Sequence, residues 1–165
     1  MAINISALQL QDPQLTKKIK DETTRHGVLP STIILEITET ALLEDDEVTR
    51  ATLHSLSSHG FQIALDDFGM GFSSIAHLNN FPINIVKIDK SLQNKEPNVN
   101  KKKSLLEAVT IMLKLLDFIV VAEGIETESQ LLVCHELKID KIQGYLLGKP
   151  MPAHMLEEKL LAQSA

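Results

Sequence analysis

The stretch Phe61-Gln62-Ile63-Ala64-Leu65-Asp66-Asp67 is a short apolar run that ends in two adjacent carboxylates. Similar runs recur on both sides of it, and together they decide the fold. They occupy residues 2–5, 33–37, 85–88, 118–122 and, more weakly, 139–145. Short, nearly continuous runs rich in Ile and Val are typical of parallel strands that are buried on both faces. The sequence therefore predicts about six mainly parallel strands.

Amphipathic segments separate these runs, as expected when a helix follows each strand. Asp12 before a proline predicts a helix start, and Gly27 predicts its end. Thr127 and Gln130 fit a capping box at the start of a later helix. The polar stretch 93–103 is interpreted as a solvated loop, with a phosphate or partner contact as the alternative. Further helices are predicted over 47–58, 73–78, 104–116 and 155–161. The repeated order predicts a parallel α/β fold.

Composition limits the class of protein. The chain has 165 residues, 44% of them hydrophobic, and a net charge of −6. These values suit one globular domain with its own core, and they argue against a DNA or RNA polymer as partner, because polymer binding relies on a basic face. Cys134 is the single cysteine, which excludes an internal disulfide. Without a signal-like N-terminus, we expect a cytoplasmic location.

Charged side chains interrupt or end the apolar runs. Glu36 lies inside the second run, Asp66 and Asp67 end the third, Lys87 lies inside the fourth, and Glu123 ends the fifth. Buried ionised groups are costly unless they are paired or bound to a cation. Because the C-terminal ends of parallel strands share one edge, these four carboxylates should lie close together and require a cation.

The kind of cation follows from the donor atoms. Carboxylate oxygens favour Mg²⁺ or Mn²⁺, with Ca²⁺ as another option, and the His and Cys residues lack zinc-binding spacing. The adjacent Asp66 and Asp67 suit two ions, since one carboxylate can bridge them. Two ions about 4 Å apart can activate water and neutralise the leaving oxygen in phosphodiester cleavage. Lys87 could hold a phosphate oxygen or orient that water.

Some strand-end acids have a structural alternative. Asp89 precedes Ser91 and is interpreted first as a cap or an ion-pair partner. Glu39 can brace a loop as readily as it can take part in catalysis. The four strand-end acids together with Lys87 are harder to explain without a shared site.

Six segments in fixed order carry a resemblance to a known family. They are NISA (4–7), LEITE (35–39), DDFGMGFSS (66–74), VKID (86–89), AEGIE (122–126) and QGY (143–145). Together they resemble the EAL-domain cyclic di-GMP phosphodiesterases of bacteria. The resemblance implies a modified TIM barrel and metal-dependent hydrolysis of cyclic di-GMP to linear pGpG.

The resemblance also implies a role for individual residues. The metal ligands would be Asn4, Glu36, Asp66 and Asp67. Glu123 would be an acid of the metal site and the candidate general base, and Lys87 would lie near the nucleophilic water. The substrate-binding or supporting residues would be Gln143, Glu39, Phe68, Gly69 and Glu126, with Glu39 bracing the loop 68–74. Mg²⁺ or Mn²⁺ is the expected cofactor, and Ca²⁺ is expected to inhibit.

One part of the family pattern is not found in this sequence. A TIM barrel typically takes about 250 residues, and about 200 at the low end. The match starts at the family's third strand, so we expect residues 1–165 to be a single partial EAL domain without the first two strands and the Glu-Ala-Leu signature. That signature supplies a metal ligand in the family. The isolated chain is therefore expected to be a weak or inactive phosphodiesterase, or alternatively a catalytically degenerate cyclic di-GMP-binding or regulatory protein-interaction module.

Open sheet edges invite pairing with another chain. We therefore expect a homodimer, or another chain that completes the barrel. Sensor or GGDEF-type domains are the further partners expected in a longer protein.

Overall fold

The computed structural model describes residues 1–42, 46–69, 78–93 and 99–163. They form one six-stranded parallel sheet in which each strand pairs with the next along the chain. The strands are β1 (Ala2–Asn4), β2 (Ile34–Thr38), β3 (Gln62–Phe68), β4 (Ile85–Ile88), β5 (Ile119–Ala122) and β6 (Lys141–Ile142). The sheet curls into part of a barrel, so the predicted incomplete TIM-like α/β fold is confirmed.

Helices cover the outer face of the sheet. Among the described residues they are α1 (Ala7–Leu10), α2 (Leu15–Arg25), α3 (Glu39–Leu42), α4 (Glu47–Ser58), α5 (Val99–Leu115), α6 (Glu128–Glu136) and α7 (Ala153–Gln163). None of the helices in this part of the chain is long and apolar enough to cross a lipid bilayer.

The predicted start of α2 at Asp12 is wrong. The Asp12 side chain accepts a hydrogen bond from the Gln14 backbone N–H at 2.9 Å, and the Leu15 N–H donates to the Asp12 carbonyl at 3.0 Å. These bonds close a turn, and α2 begins after it at Leu15. The predicted end is confirmed, because Gly27 adopts a left-handed φ of 63° that a glycine accommodates without strain.

The polar stretch 93–103 is only partly a loop. Helix α5 begins at Val99 rather than at residue 104, so the expectation of a loop is wrong for the segment from Val99 onward. Lysine is a good helix former, and the run of three lysines at 101–103 extends the helix. Residues 94–98 lie outside the described residues, as does the predicted helix over 73–78 apart from Leu78.

The predicted capping box at α6 is confirmed. Thr127 Oγ1 accepts the Gln130 N–H at 3.3 Å, and Gln130 Oε1 accepts the Thr127 N–H at 3.0 Å. A second capping box, between Ser6 and Gln9, begins the short helix α1. The sequence analysis did not predict α1 or α3, because helices of four residues carry no periodic pattern.

The two faces of the sheet carry different side chains. The outer face packs on the helices and forms the main core, with residues such as Leu35, Ile63 and Val86 almost fully buried. The inner face carries a smaller apolar cluster formed by Ala64, Ile85 and Val121, with Ile34 and Ile119 packed against it.

The inner face becomes charged toward the C-terminal ends of the strands. Successive side chains of a strand alternate between faces, so a residue two positions beyond an inner apolar side chain also faces inward. This register places Glu36 beyond Ile34, and Asp66 beyond Ala64. By the same register, the side chains beyond Ile85 and Val121 are those of Lys87 and Glu123.

Candidate metal and catalytic site

Lys87 is buried at the centre of the charged layer, with 4% of its surface exposed. Its Nζ lies 2.9 Å from Glu36 Oε1, 2.9 Å from Asp66 Oδ1 and 2.8 Å from Glu123 Oε1. These acids come from β2, from β3 and from the residue after β5. The predicted convergence of strand-end charges is therefore confirmed.

The electrostatics of the cluster follow from burial and pairing. Burial favours the neutral amine of Lys87, but hydrogen bonds to Glu123, Glu36 and Asp66 outweigh it and raise the pKa of Lys87 above its ordinary range. Burial raises the pKa of Glu123, although the nearby Lys87 opposes that change and Asp66 adds to it. One ammonium thus faces three carboxylates, which leaves negative charge for a further cation to neutralise.

A divalent cation fits the donor atoms beside Lys87. Asp66, Asp67 and Glu123 each offer a carboxylate oxygen, and these oxygens all lie within 4.8 Å of one another. Oxygen donors of this kind suit Mg²⁺ or Mn²⁺. Burial raises the pKa of Asp67, and repulsion by Asp66 and Asp89 raises it further. A bound cation would relieve that repulsion.

A bulge brings both adjacent aspartates to the same side. Neighbouring residues of a regular strand point to opposite faces, but the pairing of β3 with β4 shifts register between Leu65 and Phe68. Within the bulge Asp67 adopts a left-handed φ of 56°, and its N–H donates to Asp66 Oδ1 at 3.1 Å. The irregular backbone is therefore what allows Asp66 and Asp67 to offer oxygens to one ion.

Asn4 and Glu39 lie on the adjoining elements. Asn4 pairs with Glu36 in the register of β1 and β2, so it lies beside that carboxylate at the end of the sheet. Glu39 is buried at the start of α3, directly after β2. The loop that Glu39 was expected to brace is described only as far as Gly69, so most of it lies outside the described residues.

Phe68 anchors the end of β3. Its side chain is buried in the main core, and its carbonyl accepts the Asp89 N–H at 3.2 Å. The end of β3 is thereby tied to the end of β4. Gly69 follows with a φ of 106°, a backbone conformation that residues with a side chain rarely adopt.

A pocket of about 260 Å³ opens next to the charged layer and shares Glu123 with it. The complete lining is Asp89, Lys90, Glu123, Gly124, Glu126, Gln143, Gly144 and Tyr145. Gln143 and Glu126 from the predicted set therefore lie in this pocket. Asp89 Oδ1 accepts the Ser91 N–H at 2.8 Å, which confirms its interpretation as a cap, and it also lines the pocket.

The sequence analysis did not name Lys90, Gly124, Gly144 and Tyr145 as site residues. Gly124, Gly144 and Tyr145 lie in the quoted segments AEGIE and QGY, and Lys90 directly follows Asp89, so their positions in the sequence were the available signal. A Cβ on Gly144 would collide with the backbone of Ile125, so only glycine permits this close approach. The Ile125 N–H donates to the Gln143 carbonyl at 3.1 Å. The two loops that line the pocket are thus held together by backbone contacts.

Comparisons with known proteins agree with this geometry. The family model of the EAL domain matches residues 1–150. MucR of Pseudomonas aeruginosa, a bifunctional diguanylate cyclase/cyclic di-GMP phosphodiesterase, is 36% identical over 165 residues, which is all of this chain and 24% of MucR. The solved MucR phosphodiesterase in complex with c-di-GMP gives a TM-score of 0.86 at 36% identity, covering 94% of this chain and 63% of that one.

A second solved structure contains a metal ion. BlrP1 of Klebsiella pneumoniae, in a manganese and cyclic di-GMP complex, gives a TM-score of 0.80 at 28% identity, covering 88% of this chain and 37% of that one. This chain spans about a quarter of the length of MucR and less than two thirds of its solved phosphodiesterase. The match to the family model covers the strands and both loops that form the site. The chain therefore belongs to the EAL domain family.

Proposed function

We propose that this chain carries catalytic residues of a metal-dependent phosphodiesterase that hydrolyses cyclic di-GMP to linear pGpG. One observation supports this most strongly. Asp66, Asp67 and Glu123 present oxygens within 4.8 Å of one another, and Glu123 also lines a pocket of about 260 Å³. Cation-binding oxygens beside a pocket suit a substrate with phosphate groups.

The reaction adds one water to a phosphodiester. The water oxygen bonds to phosphorus, the bond from phosphorus to the 3′ oxygen breaks, and a proton reaches that leaving oxygen. Glu123 is the base that takes a proton from the water, since its carboxylate lies beside Asp66 and Asp67 and also lines the pocket. When bound, Mg²⁺ or Mn²⁺ supplies positive charge that neutralises the phosphate oxygens and acidifies water.

The remaining residues hold and orient these groups. Asn4, Glu36, Asp66 and Asp67 are the proposed metal ligands. Lys87 holds three carboxylates in fixed positions and places a positive charge near the attacked phosphate. Gln143 and Glu126 line the pocket that receives part of the dinucleotide. Glu39, Phe68 and Gly69 support the backbone around the two aspartates.

The extent of activity is a separate part of the proposal. We infer that residues 1–165 act as a single partial EAL domain with weak turnover, because no Glu-Ala-Leu segment in this sequence supplies a further metal ligand. The alternative is a cyclic di-GMP-binding or regulatory module without turnover. It is favoured by Lys87, whose ammonium pairs with three of the carboxylates and so neutralises part of the acidic cluster.

The proposed partners follow from the sheet. Among the residues that the structure describes, strands β1 and β6 are the two edges of the sheet, and each pairs on one side only. A second copy, or a chain that pairs with these edges, would complete the barrel. MucR also bears a diguanylate cyclase activity in its name, which supports sensor or GGDEF-type domains as neighbours in a longer protein. A cytoplasmic location fits a nucleotide signal.

Hydrolysis and binding are tested separately. The purified chain is incubated with cyclic di-GMP and Mn²⁺, and pGpG is quantified by chromatography, with EDTA as the metal-free control. We expect slow, metal-dependent formation of pGpG. Calorimetry with cyclic di-GMP and Ca²⁺ measures binding without cleavage. Binding without any hydrolysis would favour the regulatory alternative, and hydrolysis that persists in EDTA would contradict the metal-dependent mechanism.

A further inference from the structure

Asp67 is held in a left-handed backbone conformation. Its φ of 56° is uncommon for residues other than glycine, although aspartate adopts it more readily than most. On its C-terminal side Phe68 is anchored by burial in the core and by the hydrogen bond from Asp89. Gly69 comes next, and its backbone is free to adopt many conformations unless a neighbour restricts it.

That neighbour is Leu92. A Cβ built on Gly69 would lie 2.5 Å from Leu92 Cδ1, so the Leu92 side chain fills the space that a side chain of residue 69 would need. Leu92 lies in the 3-10 helix Lys90–Gln93 and packs against the main core. Its N–H donates to the Asp89 carbonyl at 3.2 Å. A fixed side chain from beyond β4 therefore covers the backbone that follows Asp67.

We propose that Leu92 is a positioning residue, which packs on Gly69 and thereby holds the Asp67 carboxylate in place for a divalent cation. The inference rests on the proposed function, in which Asp67 is a metal ligand. Removing the Leu92 side chain frees Gly69, so that Phe68 becomes the remaining restraint on the backbone after Asp67 and the left-handed conformation of Asp67 is held less firmly. The Asp67 oxygen would leave the set that Asp66 and Glu123 complete.

The test measures Mn²⁺ affinity, since free Mn²⁺ gives an electron paramagnetic resonance signal that bound Mn²⁺ loses. Leu92→Ala is expected to weaken Mn²⁺ binding about 10-fold, the effect of losing a group that orients a ligand. Leu92→Met keeps the volume and should stay within about twofold of the wild type. Leu106→Ala removes a buried leucine of α5 and should lower the melting temperature without changing Mn²⁺ affinity.

A double-variant cycle tests the contact itself. Gly69→Ala forces a methyl group against Leu92 and should also weaken Mn²⁺ binding. Leu92→Ala makes room for the methyl group, although the left-handed φ of Gly69 strains an alanine in either background, so Gly69→Ala combined with Leu92→Ala should lose less Mn²⁺ affinity than the sum of the two single losses. If the losses of Mn²⁺ affinity in the two single variants simply added in the double variant, the proposed coupling would be overturned.

The remaining outcomes separate this inference from the proposed function. Asp67→Asn is the reference for loss of the ligand. If Asp67→Asn weakens Mn²⁺ binding and Leu92→Ala does not, only the positioning role is overturned. If Leu106→Ala weakened Mn²⁺ binding as much as Leu92→Ala does, the positioning role would also be overturned. If the wild-type chain does not bind Mn²⁺, or Asp67→Asn binds as well as the wild type, both the metal site and the positioning role are wrong.

Discussion

Nζ of Lys87 lies 2.8 Å from Oε1 of Glu123, and this ion pair joins β4 to the end of β5 inside the curled sheet. Two further carboxylates, from Glu36 and Asp66, contact the same ammonium. A buried charge must be paired, and one cation here pairs three anions. Lys87 is therefore a structural requirement of the metal-free site as well as a proposed participant in its chemistry.

Replacing Lys87 should destabilise the metal-free chain. Lys87→Met leaves three largely buried carboxylates without this cation, and the expected loss in the free energy of unfolding is about 3 kcal/mol. Added Mn²⁺ should recover part of this loss, because it supplies the missing positive charge. Urea unfolding with and without Mn²⁺ measures both effects. The exposed Lys141→Met is the control, with an expected change of no more than ~0.5 kcal/mol. If Lys87→Met and Lys141→Met lost the same free energy of unfolding, the structural role of Lys87 would be contradicted.

Replacing Glu123 should remove turnover. Glu123→Gln keeps the shape of the side chain but cannot accept the proton of the attacking water. Whatever rate of pGpG formation the chain shows with Mn²⁺ should fall at least ~100-fold. Glu158→Gln, on the exposed surface of α7, is the matched control and should keep the wild-type rate. If Glu123→Gln retained that rate as well, another group would have to be the base.

Asp140 should make stability depend on pH. Its Oδ2 accepts the Val120 N–H at 2.9 Å, and its Oδ1 accepts from Lys114 Nζ at 3.1 Å. Burial opposes the charged form, but these bonds outweigh it and lower the pKa of Asp140 below its ordinary value of 3.8. The ionised carboxylate therefore stabilises the fold above that value, and its contribution is lost as pH falls through the folded-state pKa.

The corresponding variant is Asp140→Asn. Because the side chain is 39% exposed, the expected loss near neutral pH is about 1 kcal/mol or less. The difference in the free energy of unfolding between Asp140→Asn and the wild type should shrink as the pH falls below 3.8. Urea unfolding at stepped pH measures it, and the exposed Asp21→Asn controls for the loss of one negative charge. A difference that grew in acid would refute this assignment.

The capping box at α6 should stabilise the loop that carries Glu126. Thr127→Ala removes the side-chain acceptor for the Gln130 N–H, and the expected loss of stability is about 1 kcal/mol. Thermal unfolding measures it. Thr24→Ala, at an exposed position inside α2, should lose nothing because alanine is the better helix former. If Thr127→Ala and Thr24→Ala had the same melting temperature, the cap would contribute nothing to stability.

The sequence by itself determined the strands and their charged ends. Continuous Ile- and Val-rich runs identify buried parallel strands without any knowledge of their partners, and a charge that interrupts such a run, as Glu36 and Lys87 do, needs a partner at the same end of the sheet. The order of the segments was also sufficient to indicate the family. These inferences depend on local pattern and on strand direction, which the chain order fixes.

Only the tertiary structure decided how the charges share the site. The bonds from Lys87 to three carboxylates depend on the curl of the sheet. The bulge that turns Asp67 toward Asp66, and the packing of Leu92 on Gly69, depend on how β3 meets β4. Contacts between segments distant in sequence leave no local pattern, because each residue's own neighbours in the chain are compatible with several such arrangements.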